Sequence, residues 1–148
     1  MVRVRGTCIS IDGYAVLLRG PSGAGKSDLA LRLIEAGGEL VADDYTDIAA
    51  GGATHGGGLV AMAPAPIRGM LEVRGLGIMR IRACPSAALV AVVDLVPAAE
   101  VERMPEPEKV QILDVSLPRF RLFAFEASAA AKVRLVVRLA TEGIMSTE

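Results

Sequence analysis

The chain has 148 residues, is 52% hydrophobic, and carries a formal net charge of −1 with two cysteines and no tryptophan. This composition suits one domain over residues 1–148 and argues against disorder, while the near-neutral balance argues against general nucleic-acid binding. Cys8 and Cys84 are too few for a disulfide framework and lack the clustering of a zinc site. No run approaches the roughly 18 apolar residues of a membrane helix, and no apolar segment follows Arg3 and Arg5 as in a signal peptide, so a cytoplasmic protein is expected.

In chain order, Met1 to Asp12 reads as a strand. Asp12-Gly13 then makes a hairpin-type turn into a buried strand, Tyr14 to Leu18. Gly20-Pro21-Ser22-Gly23-Ala24-Gly25-Lys26-Ser27 follows and fits G-x-x-x-x-G-K-[ST], the phosphate-binding loop. Its glycines let backbone N–H groups approach phosphate oxygens, and the next helix points its positive end at the same anion. Lys26 supplies a compact charge for the β- and γ-phosphates, and the Ser27 hydroxyl can ligate Mg²⁺. The helix is expected over Asp28 to Ala36, with Leu29, Leu33 and Ala36 on its apolar stripe and Gly37-Gly38 as its stop.

Glu39 to Ala42 reads as a short strand that ends in Asp43-Asp44. Successive strand side chains alternate faces, so one carboxylate can face the phosphates while the other supports the loop or a metal. One can also act as a base towards an alcohol, and an exposed acidic turn is the plain alternative. Tyr45 to Ile48 continues as a strand, and a glycine-rich loop then carries His55, the only histidine, which is read as solvent-exposed. Leu59 to Ala63 is the returning strand.

Leu71-Glu72-Val73-Arg74-Gly75-Leu76-Gly77-Ile78 alternates, placing Glu72 and Arg74 on one face of a strand. The pair suits metal and phosphate, and equally a plain surface ion pair. Ala87 to Val93 is a continuous apolar run, expected as a central strand. Asp94 to Pro107 reads as a surface loop with Glu102 and Arg103 exposed. Gln111 to Phe125 holds one or two strands around Pro118, with Phe120, Phe123 and Phe125 read as core. Ser128 to Leu139 closes the chain as a helix with Val133, Val136 and Val137 buried.

Three of these stretches together resemble the catalytic domain of the HPr kinase/phosphorylase family: Gly20 to Asp28, Leu40 to Asp44, and Leu71 to Ile78. The resemblance runs from Gly13 to about Ile78 and then weakens. It implies an α/β fold, a P-loop nucleotide-binding domain related to the phosphoenolpyruvate carboxykinase core, in the short form that lacks an additional N-terminal domain. It implies ATP and Mg²⁺ as cofactors and an HPr-like phosphocarrier protein as partner, with homo-oligomers frequent in the family. By resemblance, Lys26 contacts the transferred phosphoryl group, and Ser27 and Glu72 ligate the metal. Asp44 is the proton acceptor for the target serine, and Arg103 is the catalytic arginine.

Two departures stand out. The histidine that the family carries fifteen residues before the loop's first glycine is Arg5 here. The family's R-P-G-R-N-type segment is replaced by Phe125-Glu126-Ala127-Ser128-Ala129-Ala130-Ala131-Lys132, which implies reduced or absent phosphorylase activity. The expected function is therefore a Mg²⁺- and ATP-dependent serine kinase acting on an HPr-like protein. A small-molecule kinase and a catalytically impaired ATP-binding regulatory domain are the alternatives.

Overall fold

The computed structural model describes residues 1–51 and 58–142, so His55 lies outside the described residues. Among the described residues the backbone forms eleven strands and two α-helices. The strands are β1 Val2–Arg5, β2 Thr7–Ile11, β3 Tyr14–Arg19, β4 Glu39–Ala42, β5 Tyr45–Ala50, β6 Leu59–Met62, β7 Met70–Val73, β8 Gly77–Arg80, β9 Ser86–Leu95, β10 Glu108–Ile112 and β11 Val115–Leu122. The helices are α1 Lys26–Glu35 and α2 Ala129–Glu142.

The long strand β9 is the spine. It pairs with β3 in parallel along one side. Its other side pairs first with antiparallel β6 and then with parallel β11. The main sheet runs β1-β5-β6-β9-β3-β2-β4, with β10 and β11 added beside the second half of β9. The sheet is buried on both faces. Val16, Leu18, Ala91 and Val93 pack with Leu29 and Leu33 of α1 and with Val133, Val136 and Val137 of α2. Ala15, Leu17, Leu89 and Val92 pack on the other face with Ile48, Leu59, Ala61 and Leu117. Two buried faces leave no position for a polar residue between Ala87 and Val93, hence the unbroken apolar run.

The expected order of elements holds, with four corrections. First, Met1 to Asp12 is not one strand, because the chain breaks at Gly6. A Cβ at Gly6 would lie 2.8 Å from Leu17 Cδ1 and 3.0 Å from the Leu18 carbonyl oxygen. β1 therefore leaves to pair with β5, while β2 pairs with β3 and β4. Second, Ala36 is exposed and Ala30 completes the buried stripe of α1, which ends earlier than expected.

Third, Leu71 to Ile78 is a hairpin: Arg74 lies in the turn between β7 and β8, not on a strand face with Glu72. Fourth, Asp94 is not in a loop. It continues β9 beside Arg19 and accepts hydrogen bonds from the Arg19 guanidinium at 2.7 and 3.0 Å and from Arg119 Nε. Glu108 extends this network by pairing with Arg119 and Arg121. Pro118 falls one residue before β11 registers with β9, where the strand has one neighbour only.

Burial disfavours ionised Asp94, but the hydrogen bonds and charges of Arg19 and Arg119 outweigh it and hold the carboxyl below its ordinary range. A depressed folded pKa stabilises the fold above the unfolded value, near 4, and that contribution is lost as pH falls through the folded value. Asp94→Asn leaves two guanidinium groups without their shared anion. It should cost about 2–3 kcal/mol at neutral pH in denaturant titrations, with a flatter loss of stability on acidification. An unchanged midpoint would show that the network contributes nothing net.

Candidate functional site

The end of β3 delivers the chain into the loop Gly20 to Gly25, and α1 starts at Lys26. Gly25 has φ +101, a left-handed conformation that favours glycine. Space imposes the same choice, since a Cβ there would stand 2.7 Å from Ala124 Cβ and 3.0 Å from Phe125 Cζ. The loop thus presents the first turn of α1, with its free N–H groups, to an open cavity. That cavity, about 480 Å³ in volume, is lined by loop residues Ser22, Gly23, Gly25, Lys26 and Ser27. Arg5 of β1, Glu72 of β7, and Asp43 and Asp44 in the turn between β4 and β5 also line it.

Asp43 organises the floor. Its side chain is buried, and one oxygen accepts hydrogen bonds from the Thr7 and Ser27 hydroxyls, both at 3.0 Å. The other oxygen accepts the Glu72 backbone N–H at 3.1 Å. Asp44 follows with φ +67, turned away from the strand direction. Its backbone N–H donates to Thr7 Oγ1 at 3.2 Å, and its carbonyl accepts from the Gly6 N–H at 2.8 Å. The turn leaves the Asp44 carboxylate half exposed, 3.6 Å from Arg5 Nη2. The Arg5 guanidinium also lies 5.3 Å from the centre of the Tyr45 ring.

Most residues expected from the sequence meet in this cavity. Lys26, Ser27, Asp44 and Glu72 line it, as do Ser22, Gly23 and Gly25. Gly20, Pro21 and Ala24 do not line it. Gly20 and Pro21 act through their carbonyls, which accept hydrogen bonds from Lys26 Nζ at 2.6 and 3.2 Å. Arg103 is not brought to the cavity; it sits on the exposed segment between β9 and β10.

Arg74, read with Glu72 as suited to metal and phosphate, does line the cavity, whereas Leu31, Val73 and Phe125 line it without being expected there. Arg74 reaches the cavity from the hairpin turn. Phe125, expected in the core, is 55% exposed and forms part of the wall. No periodicity marks Phe125, because it belongs to neither β11 nor α2.

The donor set fits Mg²⁺ together with a polyphosphate. Among the described residues no group of three or more His, Cys, Asp or Glu side chains is placed to hold a metal. Mg²⁺ does not need such a cage: one or two carboxylates, a hydroxyl and phosphate oxygens suffice. Ser27, Asp43 and Glu72 converge in that sense.

Similarity to known proteins agrees with this geometry. The family model described as HPr Serine kinase C-terminal domain matches residues 1–140. The HPr kinase/phosphorylase of Geobacillus thermodenitrificans is 36% identical over 130 residues, covering 80% of this chain and 41% of that protein. That of Clostridium tetani is 46% identical over 77 residues, covering 52% of this chain and 24% of that protein. This chain therefore spans at most about two-fifths of the length of those relatives. The structure of the Hpr(Ser) kinase/phosphatase from Coxiella burnetii superposes with a TM-score of 0.83 at 21% identity, covering 97% of this chain and 94% of that one. That likeness shows the curled α/β fold.

Gly25→Ala tests the loop. The strained φ and the collision with Ala124 and Phe125 should cost about 1–3 kcal/mol in thermal unfolding. They should also weaken inorganic tripolyphosphate binding, measured by calorimetry. Unchanged stability and binding would show that the loop accepts a side chain there.

Proposed function

This chain belongs to the HPr serine kinase C-terminal domain family, and from that premise we propose that it is a cytoplasmic, Mg²⁺- and ATP-dependent serine kinase. Its acceptor is an HPr-like phosphocarrier protein. The observation that carries the reading is the convergence of Lys26, Ser27, Asp43, Asp44 and Glu72 on one open cavity. Phosphoryl transfer needs positioning and charge stabilisation more than covalent chemistry, and this set is suited to both.

Loop N–H groups and Lys26 hold the β- and γ-phosphates. Lys26 would exchange its bonds to the Gly20 and Pro21 carbonyls for phosphate oxygens. Ser27 and Glu72 hold the metal, and Asp43 keeps the Ser27 hydroxyl oriented. Bound Mg²⁺ supplies neutralisation of the charge on the transferring group. Asp44 takes the hydroxyl proton as the acceptor serine oxygen bonds to the γ-phosphorus, and the bond to the β–γ bridging oxygen breaks to release ADP.

Arg5 places a guanidinium beside Asp44, where the family resemblance expects a histidine. Reduced phosphorylase activity is part of this reading. It rests on the resemblance, since Glu126 pairs with Lys132 in a segment without the family's arginines. The Arg5–Asp44 pair also favours a second reading, an ATP-binding domain that turns over poorly because its base is held by a cation.

The test is transfer from Mg-ATP to the host's HPr-like protein, read by intact mass. A single added phosphate on a serine is expected. Asp44→Ala should reduce the rate by about 10²- to 10⁴-fold while leaving ATP affinity within a few-fold. Transfer retained in that variant would remove Asp44 from the chemistry. ATP binding without transfer, reversed by Arg5→His, would establish the second reading.

A further inference from the structure

Several large apolar side chains are exposed among the described residues, and of these Phe125 is the one that lines the cavity. The chain has three phenylalanines, two tyrosines and no tryptophan, so aromatic surface is scarce. Phe120 packs against the core, and Phe123 is partly buried. Phe125 instead leaves more than half its surface open and lines the cavity that holds the phosphate loop.

The ring is also held in place. A Cβ at Gly25 would touch Phe125 Cζ at 3.0 Å and Cε1 at 3.2 Å, so the ring edge lies against the loop backbone where α1 begins. Phe123 meets it edge-on, with ring centres 5.8 Å apart and planes at 71°. The backbone on either side is tied to α1, because Arg32 donates to the Ala124 and Glu126 carbonyls. Lys132 fastens Glu126 to the start of α2 at 2.8 Å. Leu31, one turn along α1, lines the same wall.

We infer that the exposed ring of Phe125 is the stacking platform for the base of the bound nucleotide. The inference rests on the nucleotide reading above and adds to it the part of the ligand that the phosphate loop does not touch. A triphosphate seated on the N–H groups of α1 leaves its nucleoside to find a surface nearby, and Phe125 is an apolar face in contact with that loop. Aromatic stacking accepts any base, because every base has a π-face. The Asp28 carboxylate, which lines the same cavity, pairs with Arg32 one helical turn on at 2.9 Å. The site is therefore tolerant of the purine, with ATP and GTP bound within about 10-fold of each other.

The test compares dissociation constants of Mg-ATP, Mg-GTP and Mg-tripolyphosphate for the full chain and for Phe125→Ala, Phe125→Leu and Phe125→Trp. Both truncating variants should lose about 5- to 100-fold in affinity for ATP and GTP. Tripolyphosphate, which has no base, should move less than about 2-fold. Phe125→Leu keeps apolar bulk against Gly25, so it separates loss of the ring face from loss of folding. Phe125→Trp should retain ATP affinity, and its fluorescence should respond to ATP but not to tripolyphosphate. Equal losses for ATP and tripolyphosphate would reduce Phe125 to a prop for the loop, and unchanged ATP affinity would overturn the platform outright. Failure of wild type to bind any of the three ligands would sink the nucleotide reading itself, and the platform with it.

Discussion

The Asp43 carboxylate holds together what the rest of the site depends on. A buried carboxylate must be satisfied by donors, and those available here are the Thr7 hydroxyl, the Ser27 hydroxyl and the Glu72 backbone N–H. These groups come from the start of β2, the first turn of α1 and β7. One side chain thus sets the height of the phosphate-loop helix against the sheet, and draws the β7–β8 hairpin towards it. Glu72 enters the cavity because its own backbone is bound there.

Asp44 depends on the same node at one remove. Thr7 donates to Asp43 and accepts from the Asp44 N–H, so the two acids are braced by a single hydroxyl. The turn this permits puts Asp44 in a left-handed conformation that few non-glycine residues adopt, and aspartate is among those that tolerate it. Adjacent carboxylates therefore part company, one buried and structural, the other exposed and paired with Arg5. Conformational strain at such a place is affordable because β4, β2 and the Gly6 N–H determine it from several sides.

A second polar node sits on the sheet face away from the helices. Arg19, the last residue before the phosphate loop, shares Asp94 with Arg119. It anchors the ends of β3, β9 and β11 together just where the loop departs. The phosphate loop is thus founded on charge pairing on one side of the sheet and on the apolar packing of Leu29, Leu33 and Val133 on the other. Arg32 adds a third tie, from α1 to the carbonyls around Phe125. The loop, the acids and the aromatic wall are in this way positioned by regular structure.

Local chemistry alone determined much of this protein. The loop from Gly20 to Ser27, the apolar run to Val93 and the valine stripe of α2 are each legible because periodicity, glycine spacing and continuous apolar character act over a few neighbouring residues. The acids at Asp43-Asp44 were legible as a pair, but not which of them would be buried; that followed from donors at Thr7 and Glu72, far away in the chain. Long-range register likewise decided that Asp94 belongs to a strand, because its partners Arg19 and Arg119 lie on other elements. The hairpin at Arg74 was hidden because alternation looks the same before and after a reversal of direction. Phe125 was hidden for a related reason: a residue outside any periodic element carries no signal of which way it faces. Its exposure arose only when the segment after β11 packed Ala124 and Phe125 against Gly25 at the start of α1 and left more than half of the Phe125 side chain uncovered.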